Sequence, residues 1–283
     1  MTQLRFSLSQ TLVDAIGQRH VPASDARIVS LVPSITELLC ELGLAQQLIG
    51  RTGFCIHPRD VVNAIPKVGG TKDVNLGKIR SLAPTHVIVN IDENEKPAFD
   101  ALREFVPHIV VTHPLKPEDN LALARLLGSI FCVQAAAEQW CSAFEQELAA
   151  LRALPKGPPR TVLYCIWQDP WMSISADTYI AAMLAELGWS VPQLGATRDA
   201  TRDATRDATR YPTFSWSESL VGRLDAVLLS TEPYRFTDLH ADALEKQIGI
   251  PVLLVDGEMM SWYGSRALAG VNYLRQLRSM LEG

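Results

Sequence analysis

The stretch Arg27–Leu44 constrains the fold of this chain more than any other part of the sequence. It reads RIVSLVPSITELLCELGL, and this order predicts a short buried strand, a sharp turn at a proline and a helix that a glycine ends. Ser34 and Glu37 have the spacing of a capping box, so we expect their side chains to close the start of the helix. A buried strand that leads into a helix is half of a βαβ unit, and ligands bind at the carboxyl ends of such strands.

The second half of the chain repeats this order of elements after about 140 to 145 residues. The helix-ending sequence Cys-Glu-Leu-Gly43 is matched by Ala-Glu-Leu-Gly188. The buried strand that ends at Asn90 is matched by one that ends at Ser230. This nearly constant spacing predicts two similar α/β lobes rather than one long sheet.

Residues 133–154 separate the two halves and contain neither Gly nor Pro. At 1.5 Å per residue they predict a single helix about 33 Å long. We therefore divide the chain into an N-terminal lobe over 1–128, a bridging helix and linker over 129–158, and a C-terminal lobe over 159–283. The last of these contains the repeat at 196–210, where Ala-Thr-Arg-Asp occurs three times before a final Ala-Thr-Arg, and its balanced charges predict a surface loop.

Composition and charge exclude several classes of protein. With 47% hydrophobic and 20% charged residues, the 283-residue chain has the balance of a globular protein, and its net charge of −5 provides no basic surface for nucleic acid. The five cysteines form no C-x-x-C pair, which indicates reduced thiols. Because the N-terminus lacks the pattern of a secretory signal, we expect a cytoplasmic protein, or a periplasmic one if the N-terminus is wrongly assigned.

Cys55 and His57 are the most suggestive pair of metal-binding side chains. In an extended loop, positions i and i+2 point to the same side, so a thiolate and an imidazole could share a soft metal ion. Two protein ligands do not complete a site, and no third Cys or His is close in sequence. Two interpretations therefore stay open for this pair: metal or ligand contact, or a structural role in the lining of a cleft.

Glu93 and Glu232 follow matching strands of the two halves. Glu93 lies directly after the apolar run THVIVN, and Glu232 begins the sequence Glu-Pro-Tyr234. Carboxylates at the carboxyl ends of two matching strands are expected to face each other across a gap between the lobes. For the neighbouring Asp92 and Glu95, a solvated acidic loop is an equal alternative.

Aromatic residues gather in the predicted loops of the second half. Core tryptophans normally lie within helices and strands, so aromatic residues in loops predict a surface that stacks on a ring. These residues are Trp167, Trp171, Tyr211, Trp216, Tyr234, Trp262 and Tyr263. For Trp216 the alternative is a place in the core.

No enzyme signature is visible in the sequence. The chain has no G-x-S-x-G elbow, no Walker loop, no H-E-x-x-H and no G-x-G-x-x-G. The histidines other than His57 are expected in structural roles on surfaces or strand edges, and these are His20, His86, His108, His113 and His240. We therefore expect a non-enzymatic protein with no catalytic residue.

Taken together, these motifs resemble the helical-backbone substrate-binding proteins of cobalamin and iron-chelate importers, the class III or TroA-like proteins that are also called the helical backbone metal receptor group. The resemblance extends over about residues 14–281. It rests on RIVSLVPSITELLCELG, on IPKVGGTKDVNLGKIRSLAPTHVIVN, on the long helix and on the repeated strand–helix order. It implies two Rossmann-like lobes joined by a single long backbone helix, with a ligand cleft between the lobes.

The resemblance also assigns ligand-binding positions in this sequence. The loop after the first strand falls on Pro33 and Ser34, and the loop after the first strand of the second lobe falls on Trp167. The aromatic residue that precedes the second lobe's helix falls on Tyr211, where cobalamin binders carry Trp, and the last cleft segment falls on Trp262 and Tyr263.

The function that the resemblance implies is the binding of a corrinoid, cobalamin-like, or of an iron chelate, by a monomer without an intrinsic cofactor. The expected partner is the permease of an ABC importer, unless the chain is a cytoplasmic relative. The family docks through a Glu on each lobe, where this chain has Gly77 and Ser217. The alternatives are a metal-dependent hydrolase or corrinoid-processing enzyme that uses Cys55 and His57, and a cytoplasmic ligand sensor.

Overall fold

The computed structural model describes residues 12–194 and 209–282. They belong to two compact units. Among the described residues, the N-terminal unit comprises 12–113 and Leu121–Cys141, and the C-terminal unit comprises Pro114–Asn120, 142–194 and 209–282. The segment 195–208, and with it most of the ATRD repeat that we predicted as a surface loop, lies outside the described residues.

Short apolar runs in the first half form a four-stranded parallel sheet in the order β2-β1-β3-β4. Each of β1 and β3 is buried along its whole length, as expected for a parallel sheet that helices cover on both faces. The elements are β1 (Ile28–Ser30), α1 (Pro33–Glu41), a 3-10 turn (Ala45–Gln47), β2 (Leu48–Arg51), α2 (Arg59–Val62), α3 (Leu76–Leu82), β3 (His86–Asn90), α4 (Lys96–Leu102), β4 (His108–Thr112), α5 (Asp119–Ile130) and α6 (Gln134–Arg152).

The predicted long helix over 133–154 is confirmed by α6, whose first part belongs to the N-terminal unit and whose remainder belongs to the C-terminal unit. Nineteen residues without Gly or Pro favour a continuous helix, and Trp140, Phe144 and Leu148 give it a buried side. Within residues 12–194 and 209–282, no helix is both long and apolar enough to cross a membrane.

The predicted capping box at the start of α1 is wrong. The helix begins at Pro33, with Val32 as its N-cap, so Ser34 lies inside the first turn instead of capping it. Proline is favoured at the first helical position because it has no backbone N–H to satisfy and its φ is already helical. The Ser34 hydroxyl is buried and has no hydrogen-bond partner among the described residues.

A hairpin that turns at Gly17 precedes β1 and is attached to the edge of the sheet. Asp14 organises it, because its carboxylate accepts hydrogen bonds from the backbone amide of Gln18 (2.9 Å), from that of Val111 in β4 (3.0 Å) and from His20 Nε2 (3.1 Å). His20 and His86 are buried rather than on surfaces or strand edges as we expected. The His86 ring stacks on that of His108 at 4.8 Å.

The second half forms a second sheet in the order β6-β5-β8-β9, in which β5, β8 and β9 are parallel, β6 is antiparallel and β7 pairs with β5. Leu163, Cys165, Val227 and Leu229 from the two central strands are fully buried. The elements are β5 (Arg160–Trp167), β6 (Met172–Ser173), α7 (Tyr179–Ala185), β7 (Trp189–Ser190), α8 (Glu218–Val221), β8 (Ala226–Ser230), α9 (Asp238–Ile248), β9 (Val252–Val255), α10 (Gly257–Ser261) and α11 (Ser265–Glu282).

The described end of the ATRD repeat is attached to the C-terminal unit. Arg210, its last residue, is buried, and its Nη2 donates to the backbone oxygen of Asp177 at 2.9 Å. The residues that follow run alongside β6, since Ser173 N donates to Pro212 O and Phe214 N donates to Trp171 O. The prediction of two α/β lobes that share a long helix is confirmed by these two units.

Candidate functional site

Three segments, two loops and the first turn of α1, follow the carboxyl ends of parallel strands in the N-terminal unit, and each carries a predicted ligand-binding residue. Pro33 and Ser34 follow β1, Cys55 and His57 follow β2, and Glu93 follows β3. Carboxyl ends of parallel strands meet at one edge of the sheet, so these segments share that edge.

Asn94 connects the segments at this edge, a role that its place in the sequence did not predict. Its Oδ1 accepts from Asn90 N at 2.8 Å, and its Nδ2 donates to Leu31 O at 3.2 Å and to Thr71 O at 2.8 Å. One amide side chain therefore joins the loops after β3 and β1 to the glycine-rich turn at 69–71. Asn90 adds a turn of its own, because its Oδ1 accepts from Asp92 N at 2.8 Å.

The Cys55 thiol is a core group in this structure. It is fully buried, and its Sγ lies 3.1 Å from Thr36 Oγ1 and 3.2 Å from Thr52 Oγ1. Burial raises the pKa of the thiol above its usual range, so the neutral form is favoured. A thiol must lose its proton to bind a metal or attack a substrate, so these surroundings oppose both roles.

His57, by contrast, is partly exposed. Within the described ranges, no group of three or more His, Cys, Asp or Glu side chains is placed to hold a metal ion. Contact of Cys55 or His57 with a ligand or metal stays a prediction.

Phe54 and Ile56 are exposed apolar side chains in the same loop as Cys55, and neither was predicted from the sequence as a site residue. Phe54 is 62% exposed and Ile56 is 45% exposed, on either side of the buried Cys55. Phe54 lies in a turn that Cys55 N closes by donating to Thr52 O at 3.3 Å. Exposed large apolar side chains at a strand end add apolar surface where ligands of parallel sheets bind.

In the C-terminal unit, Glu232 and Trp262 are brought together from loops after different strands. Trp262 Nε1 donates to Glu232 Oε1 at 2.7 Å, and Ser261 Oγ donates to the same oxygen at 3.1 Å. Burial raises the pKa of the Glu232 carboxyl above its usual range, and the neighbouring acidic groups Glu258 and Asp256 raise it further, against the lowering by the two donors.

Gly257 makes room for this arrangement at the start of α10. A Cβ atom at this position would lie 2.5 Å from Glu232 Cγ and 2.6 Å from Ser230 Oγ. Ser230 Oγ also donates to the backbone oxygen of Glu232 at 2.6 Å and accepts from Tyr164 OH at 3.0 Å. The base of the Glu232 loop is therefore tightly packed and hydrogen-bonded.

Trp167 and Tyr234 form an aromatic pair at the ends of the adjacent strands β5 and β8. Their ring centroids are 5.4 Å apart with the planes at 73°, an edge-to-face contact, and Trp167 is 39% exposed. The Tyr234 ring also contacts Phe236 at 4.6 Å. Together these contacts hold one tryptophan ring in a fixed orientation with part of its surface exposed.

Trp171 and Trp216 belong to a second aromatic cluster, which Phe236 connects to Tyr234. The Trp171 ring stacks on Phe236 at 5.8 Å and meets Trp216 edge-on at 5.4 Å, while Trp216 meets Phe214 edge-on at 5.2 Å. These rings pack against the buried core of the C-terminal unit, so the core interpretation holds for Trp216 and also describes Trp171.

Tyr263 and Trp262 are both buried, in contrast to Trp167. Tyr263 meets the ring of Tyr179 edge-on at 6.0 Å, and the Arg266 guanidinium lies 5.0 Å from the centre of the Trp262 ring. Tyr211 lies on the segment beside β6, next to the buried Arg210. The structure thus pairs Glu232 with Trp262 and Trp167 with Tyr234, while Tyr263 packs within its own unit.

Comparison with known proteins gives the class to which this fold belongs. Residues 28–195, more than half of the chain, match the family described as periplasmic binding protein. The chain therefore belongs to the periplasmic binding protein family, as the resemblance of its motifs implied.

Individual relatives are distant but cover nearly the whole chain. A vitamin B12-binding protein of Pectobacterium carotovorum is 22% identical over 261 residues, which are 91% of this chain and 90% of that protein. Among solved structures, the periplasmic vitamin B12-binding protein BtuF of Vibrio cholerae has a TM-score of 0.73 at 17% identity and covers 91% of this chain and 98% of its own.

A second solved structure carries a different ligand in its name. The periplasmic heme-binding protein RhuT of Roseiflexus sp. RS-1, in its apo form, has a TM-score of 0.70 at 20% identity. It covers 88% of this chain and 96% of its own. At such identities the likeness shows a common fold, and the ligand must be argued from the residues of this chain.

Proposed function

We propose that this chain is the non-enzymatic ligand-binding component of an importer, and that its ligand is a flat, largely apolar metal chelate of the corrinoid type. In this proposal the loops that follow β5 and β8 of the C-terminal unit contact the ligand. The membership of the family and the ligands named for its relatives support the general class.

The single observation that carries the proposal is the Trp167–Tyr234 pair. An exposed tryptophan is costly to keep in water, and this one is held by an edge-to-face neighbour at the carboxyl end of a parallel strand, where ligands of α/β proteins bind. Covering such a ring with an apolar macrocycle stabilises a complex by about 1.5–3 kcal/mol. Phe54 and Ile56 offer further apolar surface at the corresponding edge of the N-terminal sheet.

No specific observation favours the enzyme alternative. Cys55, which this alternative would use together with His57, is a buried thiol whose pKa is raised by burial, and its Sγ is within hydrogen-bond distance of two threonine hydroxyls. We also propose that the partner is an ABC permease. For the location the prediction stays as the sequence gives it, cytoplasmic, or periplasmic if the N-terminus is wrongly assigned. Fractionation of cells that express the native gene, followed by N-terminal sequencing, tests the location.

Titration of the purified protein with cyanocobalamin, dicyanocobinamide and haem, followed by absorbance and fluorescence, tests the ligand class. We expect saturable binding of at least one corrinoid and quenching of tryptophan fluorescence. Trp167→Ala should weaken binding about tenfold or more, because it removes the exposed ring.

Leu239→Ala is the matched control for that variant, because Leu239 is also an exposed apolar side chain of the C-terminal unit, 80% exposed on α9. The control should bind like the unmodified protein. Absence of saturable binding for all three chelates would overturn the proposed ligand class. An equal loss of affinity in Trp167→Ala and Leu239→Ala would overturn the proposal that the Trp167 ring contacts the ligand.

A further inference from the structure

Glu232 presents one carboxylate oxygen that no donor in the described part of the chain satisfies. Its Oε1 accepts from Trp262 Nε1 at 2.7 Å and from Ser261 Oγ at 3.1 Å, whereas Oε2 has no donor there. Hydrogen bonds to a carboxylate are stronger than those between neutral groups, and they are stronger still where water is partly excluded. A half-buried carboxylate with one free oxygen is therefore a strong acceptor.

The charged groups that act on Glu232 are themselves acidic. Asp256 and Glu258, from the loop and helix after β9, both oppose its ionisation. Arg266, whose guanidinium lies 5.0 Å from the centre of the Trp262 ring, is paired with Glu258, since its Nη1 lies 2.9 Å from Glu258 Oε2. A ligand carboxylate at this edge would meet like charge, while a ligand N–H would form a charge-assisted hydrogen bond.

Glu232 has little freedom to turn away from such a ligand. Gly257 and Ser230 pack against its Cγ and its backbone, and Trp262 and Ser261 hold Oε1 from one side. Tyr234, two residues further along the same loop, contacts the exposed Trp167. Glu232 therefore lies on the same loop as the tyrosine that contacts the exposed Trp167 ring at the end of β5. A preorganised group binds without a further loss of side-chain freedom.

We propose that Glu232 selects chelates whose rim carries hydrogen-bond donors, such as carboxamides, and rejects chelates whose rim carries carboxylates. This inference rests on the proposed function and names the chemical class of its ligand. Corrinoids carry carboxamide side chains and haem carries two carboxylates, so Glu232 favours the corrinoid class over haem.

The test compares two corrins that differ at the rim. Dicyanocobinamide carries carboxamides, and dicyanocobyrinic acid carries carboxylates on the same cobalt macrocycle. At pH 8 and constant salt, we expect the full-length protein to bind the carboxamide form about 10- to 100-fold more tightly, the range expected for a hydrogen bond to a charged group. Glu232→Gln should reduce this ratio by about tenfold, because it removes the charge but keeps the shape.

Asp242→Asn provides the matched control, since it removes one negative charge from an exposed position on α9 of the same unit. It should leave the ratio unchanged. Equal binding of the two corrins, or tighter binding of the carboxylate form, would overturn the proposal. A preference that Glu232→Gln leaves intact would overturn its assignment to Glu232. Failure of both corrins to bind would instead overturn the proposed function.

Discussion

Trp262 Nε1 donates a hydrogen bond to Glu232 Oε1 across 2.7 Å and so joins the segment after β9 to the loop after β8. The two residues are 30 positions apart in sequence. An indole N–H usually has an acceptor when it is buried, and here that acceptor is a carboxylate at a strand end. The pair fixes the acidic and aromatic parts of the candidate site relative to each other within the C-terminal unit.

Gly257→Ala should destabilise the protein and disturb this pair. The new Cβ would lie 2.5 Å from Glu232 Cγ and 2.6 Å from Ser230 Oγ, so the loop after β8 must shift. Overpacking of this kind costs about 1–3 kcal/mol, which lowers the midpoint of thermal unfolding by several degrees. Gly77→Ala is the control, since its Cβ would meet only Asn75 Oδ1 at 3.5 Å, and an equal loss in both variants would contradict the prediction.

Glu232→Gln should raise stability at neutral pH in the ligand-free protein. The pKa of Glu232 is higher in the folded protein than in the unfolded chain, where it is about 4.5. Glu232 therefore stabilises the folded state at pH values below 4.5. This stabilisation is lost as the pH rises through the pKa of the folded state. Glutamine keeps the acceptor oxygen for Trp262 and does not ionise. Thermal unfolding from pH 4 to pH 8 should show a difference in favour of the variant that grows with pH, and a difference that shrinks would contradict the argument.

His86 should make the N-terminal unit sensitive to acid. Burial, with the nearby His108 and His20, lowers the pKa of His86 to about 4 in the folded state, against 6.5 for the unfolded chain. The stabilisation that comes from the neutral His86 is complete above pH 6.5 and is lost as the pH falls toward 4. Between pH 8 and pH 5 the free energy of unfolding should therefore fall by roughly 2 kcal/mol. Urea unfolding at the two pH values measures this loss.

His86→Phe is the variant that isolates the effect, because it keeps a ring against His108 and Phe131 and cannot take up a proton. It gives up the contact between His86 Nδ1 and Thr85 Oγ1, so some stability should be lost at both pH values. The loss between pH 8 and pH 5 should nevertheless be smaller than in the unmodified protein. If His86→Phe loses as much stability between pH 8 and pH 5 as the unmodified protein, a group other than His86 causes the acid sensitivity.

Cys132 should react with iodoacetamide long before Cys55 does. Cys132 is exposed, whereas Cys55 is fully buried and its pKa is raised by burial. Alkylation at pH 8, followed by mass mapping at short times, should show Cys132 modified and Cys55 intact until the protein is unfolded in urea. Rapid modification of Cys55 in the folded protein would instead support the ligand role that its spacing to His57 predicted.

The sequence alone was sufficient to predict the parallel strands and the long helix. Ile28–Ser30, His86–Asn90 and Ala226–Ser230 are short apolar runs bounded by turn residues, and such runs have few alternatives to a buried strand. The absence of Gly and Pro around α6 leaves little alternative to a continuous helix. The start of α1 was predicted wrongly because a proline at the first position and a capping serine compete for the same few residues.

The candidate site was less predictable, since it depends on which side chains meet after folding. Phe54 and Ile56 have the composition of core residues, and only the fold shows that they point outward while Cys55 points inward. Asn94 lies among acidic residues, which are more obvious site candidates by residue type, although its side chain hydrogen-bonds to three separate segments. Spacing along the chain could not show that Trp262 is the partner of Glu232.

The buried Arg210 is the last residue of the repeat, so its identity does not depend on the number of repeat units. Removal or addition of a whole Ala-Thr-Arg-Asp unit leaves Ala-Thr-Arg in front of Tyr211. The residue that donates to the backbone oxygen of Asp177 is therefore an arginine at every copy number.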